Sequence, residues 1–342
     1  PLKVEKDFFI PDMTPYEKRI AMDHTVPSPW KPLQVQGNSI SMLDREYIFT
    51  AGPLPAQIIS RGDSLLQSQP QFELNGIPLS WKKTKIGVNH GDYVEVSADG
   101  SFAGGRVTAA GELWFDGMYK WTLSLEPQAS IMLNRLVLHW SMPSQFARYV
   151  LSPAYTPWKN DQVLLNWDTR EYHSLLWLCG IETGLAWWCQ SDANWVLDPN
   201  QPNIIIHRDG KTVNVNINIM ARPAELMKKA TYTMVFQGTP PRPVNTAQRE
   251  WTWGKPWLPV KPDICFYENG HGGSGVKDAS NMQNWTSMIP VDKTAFREKI
   301  CRLLSENMKS IVYGMPTHLT RLDAEYDYFF KTWSMHPAVT WE

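Results

Sequence analysis

From about Leu33 onward the chain repeats one unit, a short apolar or alternating run closed by a turn, roughly every 8 to 15 residues. The runs fall at 46–49, 56–59, 71–74, 93–96, 106–109, 112–115 and 119–125, and again at 135–140, 174–179, 185–190, 203–207, 212–220 and 231–237. Turn chemistry agrees with this rhythm. Asn75-Gly76, Asp99-Gly100, Asp116-Gly117 and Asp209-Gly210 sit between strand-like runs, where residues that tolerate positive φ close hairpins. Val213, Val215, Ile217 and Ile219 alternate with Asn214, Asn216 and Asn218, the pattern of a strand with one buried and one wet face. A helix is hard to place before residue 240, and 223–229 is the one short candidate. The expected fold class is mainly β, an antiparallel β-sandwich over 31–240, preceded by a proline-containing surface segment over 1–30.

Gly238-Thr239-Pro240-Pro241-Arg242-Pro243 ends the rhythm, because proline removes backbone donors and cannot continue a sheet interior. A Pro/Trp-rich linker over 241–262 follows, and the period then changes. Residues 264–267 read as a buried strand. Residues 293–306 read as an amphipathic helix capped by Asp292, with Phe296, Ile300, Leu303 and Leu304 on one face. A second apolar strand, 310–315, precedes a second helix opened by Thr320 and Asp323, with Tyr326, Phe329, Phe330 and Trp333 at core spacing. Strand alternating with helix demands a parallel sheet. Residues 263–342 are therefore expected to be the first units of a TIM-like (β/α) barrel, incomplete because a full barrel needs about 200 residues or more.

Tryptophan is abundant, 17 in 342 residues, and Trp177, Trp187, Trp188 and Trp195 crowd one predicted hairpin and its exit. Indole fills sandwich cores and also stacks on the apolar faces of sugar rings. Strand side chains alternate, so adjacent Trp187 and Trp188 must point to opposite faces. One fills the core. The other leaves it, either to stack on sugar or to dock the following domain, and core and interface packing are expected to account for most of the set.

Composition narrows the partners. A formal net charge of −1 gives neither the basic field of nucleic-acid binders nor a polybasic membrane patch, and no run is long enough for a membrane span. Pro1-Leu2-Lys3-Val4-Glu5-Lys6 lacks the apolar core of a signal peptide. Cys179, Cys189, Cys265 and Cys301 are too sparse for a disulfide scaffold and lack CxxC spacing, so buried free thiols are expected. A hairpin turn centred on Glu182-Thr183 sets Cys179 opposite Ala186 and Cys189 opposite Leu176, which disfavours a direct bridge. The histidines form no HExxH or clustered ligand set and no GxSxG elbow occurs, so neither metal nor cofactor is expected.

Ordered motifs carry a resemblance: Asp44-Arg45-Glu46-Tyr47, Pro53-Leu54-Pro55-Ala56-Gln57-Ile58 with the 61–66 turn, Phe115-Asp116-Gly117-Met118-Tyr119, Gly184-Leu185-Ala186-Trp187-Trp188 through Trp195, and Phe236-Gln237-Gly238-Thr239-Pro240-Pro241-Arg242-Pro243. In that order, over about 40–342, the chain resembles bacterial two-domain proteins related to glycoside hydrolase family 123, in which a β-sandwich precedes a (β/α)8 barrel. The resemblance implies a periplasmic or extracellular protein of polysaccharide degradation, with carbohydrate as its partner. It further implies retaining, substrate-assisted hydrolysis of a β-linked N-acetylhexosaminide, in which the acetamido oxygen attacks the anomeric carbon and a glutamate serves as general acid. The Asp-Glu pair of that chemistry lies on a later barrel strand, so no residue here takes its role. Alternatives are a non-catalytic carbohydrate-binding or scaffold protein, and a polysaccharide lyase.

Barrel enzymes hold substrate at the C-terminal ends of their strands. Glu268, Asn269 and His271 follow the first such strand, and Tyr313, Thr317 and His318 lie at or after the second. Asn269, His271, Tyr313, Thr317, His318 and Trp188 are the candidate substrate-binding residues, with Glu268 and the terminal Glu342 as candidate acids or bases. Asn166-Trp167-Asp168 and Glu182 are weaker candidates beside the tryptophan hairpin. Gly270-His271-Gly272-Gly273-Ser274-Gly275 fits GxGxxG, but the segment behind it is polar, so a βα loop is expected rather than a dinucleotide site. The sequence leaves the sugar and the oligomeric state open.

Overall fold

A computed structural model describes residues 24–151, 161–162, 166–170, 172–243, 250–254, 261–267 and 293–312. The chain divides into two compact units, Asp23–Val244 and the remainder.

The Asp23–Val244 unit is a sandwich of antiparallel sheets. Its small sheet has the strand order Asn166–Thr169, Ile204–Asp209, Thr212–Met220, Leu136–Pro143, Ser68–Leu74, Ile77–Pro78. Its large sheet runs Asp161–Gln162, Tyr149–Leu151, Leu175–Cys179, Gly184–Cys189, Ala230–Thr239, Met118–Pro127, Gly105–Trp114, Tyr93–Phe102, with Ser80–Trp81 and Lys85–Asn89 pairing to the last of these. Period-two alternation aims one side chain in two at the space between the sheets. Val213, Val215, Ile217 and Ile219 are all fully buried there. Edge-on aromatic pairs join the sheets, Phe72 with Trp121 at 5.6 Å and Trp140 with Phe236 at 5.4 Å between ring centroids.

An N-terminal meander, Gln34–Gln36, Ser39–Met42, Arg45–Phe49, Pro55–Ser60 and Asp63–Ser64, forms a separate antiparallel sheet. Its link to the large sheet is polar and buried. The Tyr47 hydroxyl donates to the Gly117 carbonyl at 2.7 Å and accepts from the Gly238 amide at 2.8 Å. Ser60 Oγ donates to the Thr239 carbonyl at 3.0 Å, and Arg45 Nη1 donates to the Pro240 carbonyl. A Cβ at Gly238 would stand 2.9 Å from Ile58 Cγ2, so the meander packs too closely for any side chain there. The strand therefore runs through Gly238 and Thr239 before the prolines end it.

Some sequence expectations change. Asp99-Gly100 lies inside the strand Tyr93–Phe102, and the turn comes later, at Gly104 with φ +91°. Gly100 serves a close approach, since a Cβ would meet the Ser80 carbonyl oxygen at 2.3 Å. The runs 106–109 and 112–115 merge into one strand, Gly105–Trp114, because Gly111 is held in the ladder opposite Trp121. The short helix expected over 223–229 is a strand, Ala224–Leu226, paired with Ile131–Leu133 so that Leu226 and Leu133 are both buried. Asn75-Gly76, Asp116-Gly117 and Asp209-Gly210 do make turns, with φ of +53° at Asn75 and +79° at Gly76.

In the second unit, Trp253–Gly254, Ile264–Tyr267 and Lys309–Val312 pair in parallel, and the helix Lys293–Ser305 lies in the chain between the last two. Asp263 fixes the first crossing by accepting from the Thr252 amide and hydroxyl, each at 2.9 Å. The helix buries Leu303 with Met308, whereas Leu304 is 58% exposed, so the apolar face is narrower than the sequence spacing implied. The second expected helix and the rest of the 310–315 strand lie outside the described residues.

Tyr47→Phe should destabilise the protein by about 1–3 kcal/mol in chemical denaturation, because it strands a buried amide and a buried carbonyl without their partner. Burial pushes the Tyr47 hydroxyl up to about 12 from an ordinary value of 10.0, against the Gly238 hydrogen bond and Arg45, which lower it. The folded value is raised, so the contribution is complete below pH 10 and is lost as pH climbs toward about 12. Wild type should thus lose stability over that interval by more than Tyr47→Phe does.

Candidate functional site

The tryptophan hairpin pairs Leu175–Cys179 with Gly184–Cys189, and its register sets Leu175 opposite Trp188, Trp177 opposite Ala186 and Cys179 opposite Gly184. This is a two-residue shift from the register expected, because Gly180 to Thr183 form the turn, closed by Gly180 N to Thr183 O at 2.8 Å. An even shift leaves every side chain on its face. Trp187 is accordingly fully buried between the sheets, while Trp188 stands half-buried on the opposite face of the large sheet.

That outward face can be followed strand by strand. Trp188 is paired with Val235, Val235 with Lys120, Lys120 with Glu112 and Glu112 with Glu95, giving one row across the sheet. Beside it, Thr122 and Thr233 share a hydrogen bond at 2.9 Å. Trp177 shares the face near Trp188 and donates from Nε1 to Thr239 Oγ1 at 3.1 Å. At the far end Tyr93 stacks on Trp114 at 4.9 Å, and His90 stacks on Tyr93 at 4.3 Å. The row thus begins at an indole and has aromatic rings beside its far end, with charge between them.

Its electrostatics are uneven. Glu95 and Glu112 are directly opposed, a repulsive arrangement, with Lys120 against Glu112 alone and His90 Nε2 3.6 Å from Glu95. Desolvation raises the Tyr93 hydroxyl above its ordinary value, and Glu112, Glu95 and Asp92 add to this. Nearby, hydrogen bonds from Arg106 and Lys85 hold the half-buried Asp99 carboxyl below its ordinary range. Indole faces beside hydroxyl, amide, ammonium and carboxylate groups suit a ligand with apolar C–H faces and a polar rim, as a sugar has. Among the described residues no group of three or more His, Cys, Asp or Glu could hold a metal ion.

Trp188 is the candidate that falls in this assembly. Glu268, Asn269, His271, Tyr313, Thr317, His318 and Glu342 lie outside the described residues, as does the glycine-rich segment 270–275. Asn166, Trp167 and Asp168 belong to the edge of the other sheet, and Glu182 sits at the hairpin tip, 2.5 Å from Arg61 Nη1. These weaker candidates do not converge on Trp188. Glu182 instead borders a groove of about 350 Å³ with Phe146, Arg148 and Ile181. Lys120, Glu112, Glu95, Tyr93 and Trp114 were not singled out in the sequence. The signal for them was present, as outward positions two residues apart, but it needs the strand order to assemble.

Cys179, Cys189 and Cys301 are free thiols. Cys189 is buried beneath the Tyr172 hydroxyl at 3.0 Å, and burial raises its thiol above the ordinary value. Cys301 is exposed on the helix of the second unit, contrary to the expectation of burial, because its helical position faces away from Leu303.

Residues 33–201 match the third domain of glycoside hydrolase 123, which supports a relation to that family. No curated protein matches the chain in sequence. Among solved structures it is similar to galactose 1-epimerase from Lactobacillus acidophilus NCFM, with 8% identity, a TM-score of 0.39 and coverage of 63% of this chain and 99% of that one. It is also similar to a heparan sulfate lyase from Pedobacter heparinus, with 7% identity, a TM-score of 0.34 and coverage of 58% of this chain and 33% of that one. Among the described residues no helix is long and apolar enough to cross a membrane.

The two faces of the hairpin predict two different mutant responses. Trp187→Ala should cost about 3–5 kcal/mol in chemical denaturation, and Trp188→Ala clearly less, because only the first leaves a core cavity. Equal losses would contradict the assignment of faces. A thiol reagent should modify Cys301 in the native protein and reach Cys189 only on unfolding.

Proposed function

We propose that this chain is a glycoside-hydrolase-like protein of polysaccharide degradation whose sandwich engages carbohydrate through the Trp188 face. The observation that carries this reading is the match of residues 33–201 to a glycoside hydrolase 123 domain. The composition of the outward face supports it, since half-buried indoles beside the polar groups of Lys120, Glu112 and Glu95 suit a sugar-binding surface.

In the same reading, the parallel strands after residue 253 open a (β/α) barrel whose loops hold the reacting sugar. The substrate is a β-linked N-acetylhexosaminide, hydrolysed with retention by attack of its own acetamido oxygen. In this reading Asn269, His271, Tyr313, Thr317 and His318 bind its hydroxyls, and Glu268 or Glu342 moves a proton. Such a protein works in the periplasm or outside the cell. A second reading, a non-catalytic carbohydrate-binding protein, is favoured by one observation: the described aromatic and carboxylate groups collect on a sheet face rather than in an enclosed pocket.

Intrinsic tryptophan fluorescence should change on titration with β-linked oligosaccharides, and Trp188→Ala should abolish most of the response. Release of the aryl group from an aryl N-acetyl-β-galactosaminide distinguishes the hydrolase from the binding protein. Binding without turnover selects the second reading, and no spectral response to any glycan defeats both. A product absorbing in the ultraviolet would instead indicate a lyase.

A further inference from the structure

The outward row of the large sheet has an aromatic group at each end, and its length is fixed by strand spacing. Trp188 lies on Gly184–Cys189, and Trp114 with its stacked partner Tyr93 begins at Gly105–Trp114, three strands away through Ala230–Thr239 and Met118–Pro127. At about 4.8 Å per strand the two ends are roughly 14 Å apart across the sheet. That span is longer than a disaccharide. Between the rings the row holds the buried Val235 and then Lys120 and Glu112, with the Thr122–Thr233 pair at its border.

The charge along the row has a sign. Lys120 is opposed by Glu112, and Glu112 by Glu95, so the strip carries one carboxylate more than its single ammonium can offset. His90 lies 3.6 Å from Glu95, and Asp92, buried beside Tyr93, is held by His24 at 2.9 Å. No arginine stands in the row, and Arg106, outward on the same strand as Glu112, is already engaged by Asp99 at 2.9 Å, so the row offers no free fork of the kind that recognises anionic sugars. A ligand bearing sulfate or carboxylate would meet net repulsion there, whereas an uncharged one meets hydroxyl, ammonium and carboxylate partners.

We infer that the large-sheet face binds an extended, uncharged oligosaccharide lying across the strands, one sugar on Trp188 and another on Trp114, whose ring is backed by Tyr93 and His90. This rests on the reading of that face as carbohydrate-binding and adds the length and charge of the ligand. Two separated platforms on one rigid sheet act as linked sites, so a chain that reaches both gains affinity that neither end supplies alone. A disaccharide reaches only one.

Isothermal titration of the full chain with chitin and cellulose oligosaccharides, each as the di-, tetra- and hexasaccharide, tests the inference. The expected result is a rise in affinity of about tenfold or more between the disaccharide and the hexasaccharide, from one further stacking contact. Trp114→Ala and Trp188→Ala should each lower hexasaccharide affinity by about tenfold while circular dichroism stays that of wild type. A sulfated chondroitin hexasaccharide should bind more weakly than the uncharged hexasaccharides. Equal affinity for short and long chains, or preference for the sulfated one, overturns the inference and leaves the carbohydrate reading standing. The length series on the wild-type protein decides the matter even if a variant fails to fold. No binding by any hexasaccharide overturns the inference and the carbohydrate reading together.

Discussion

One buried phenol holds three distant stretches of chain together. The Tyr47 hydroxyl donates to Gly117 and accepts from Gly238, and so ties the N-terminal meander to a turn and to a central strand of the large sheet. A hydroxyl can do this because it is at once donor and acceptor, and its burial makes both bonds costly to lose. The surrounding contacts follow from that anchor. Arg45 reaches Pro240, Ser60 reaches Thr239, and Gly238 is bare because Ile58 lies against it. The Arg45 guanidinium adds little net stability at this joint, since its Nε and Nη2 are buried without a hydrogen-bond partner and burial lowers its pKa. The joint sets where the sandwich strand ends and the proline segment begins.

Much of the sandwich was legible because its signal is local. The alternation of Val213, Val215, Ile217 and Ile219 against asparagines fixes a strand, and Asn75-Gly76 fixes a turn, without reference to anything distant. The opposite facing of Trp187 and Trp188 needs only the period of a strand. Where the sequence misled about turns and strand ends, a glycine was involved. Gly100 and Gly111 look like breaks, yet each is a place where a neighbouring backbone passes too close for a side chain. Close approach and chain reversal call for the same residue, and a single sequence does not separate them.

The candidate site was legible only in part for a different reason. Trp188 could be placed by alternation, but its partners come from strands far away in sequence. Lys120 enters the same row because Ala230–Thr239 inserts between the Trp188 strand and its own. Nothing in the local pattern of 118–127 announces that neighbour. Cross-strand assemblies of this kind are properties of topology, and spacing along the chain carries them weakly. The proposed carbohydrate reading draws on two separate observations, the match over 33–201 and the character of this face.

The central position of Ala230–Thr239 also bears on how the molecule is made. Its neighbours, Met118–Pro127 and Gly184–Cys189, are translated well before it. Until residue 239 has left the ribosome, the large sheet exists only as separate parts, each with a hydrogen-bonding edge that no later strand has yet covered. Such edges are templates for pairing between nascent chains, and closing them requires contacts of long sequence separation, which form slowly. The strand that carries Val235 between Trp188 and Lys120 is therefore the keystone of biogenesis: the outward row comes into being only when the sandwich does.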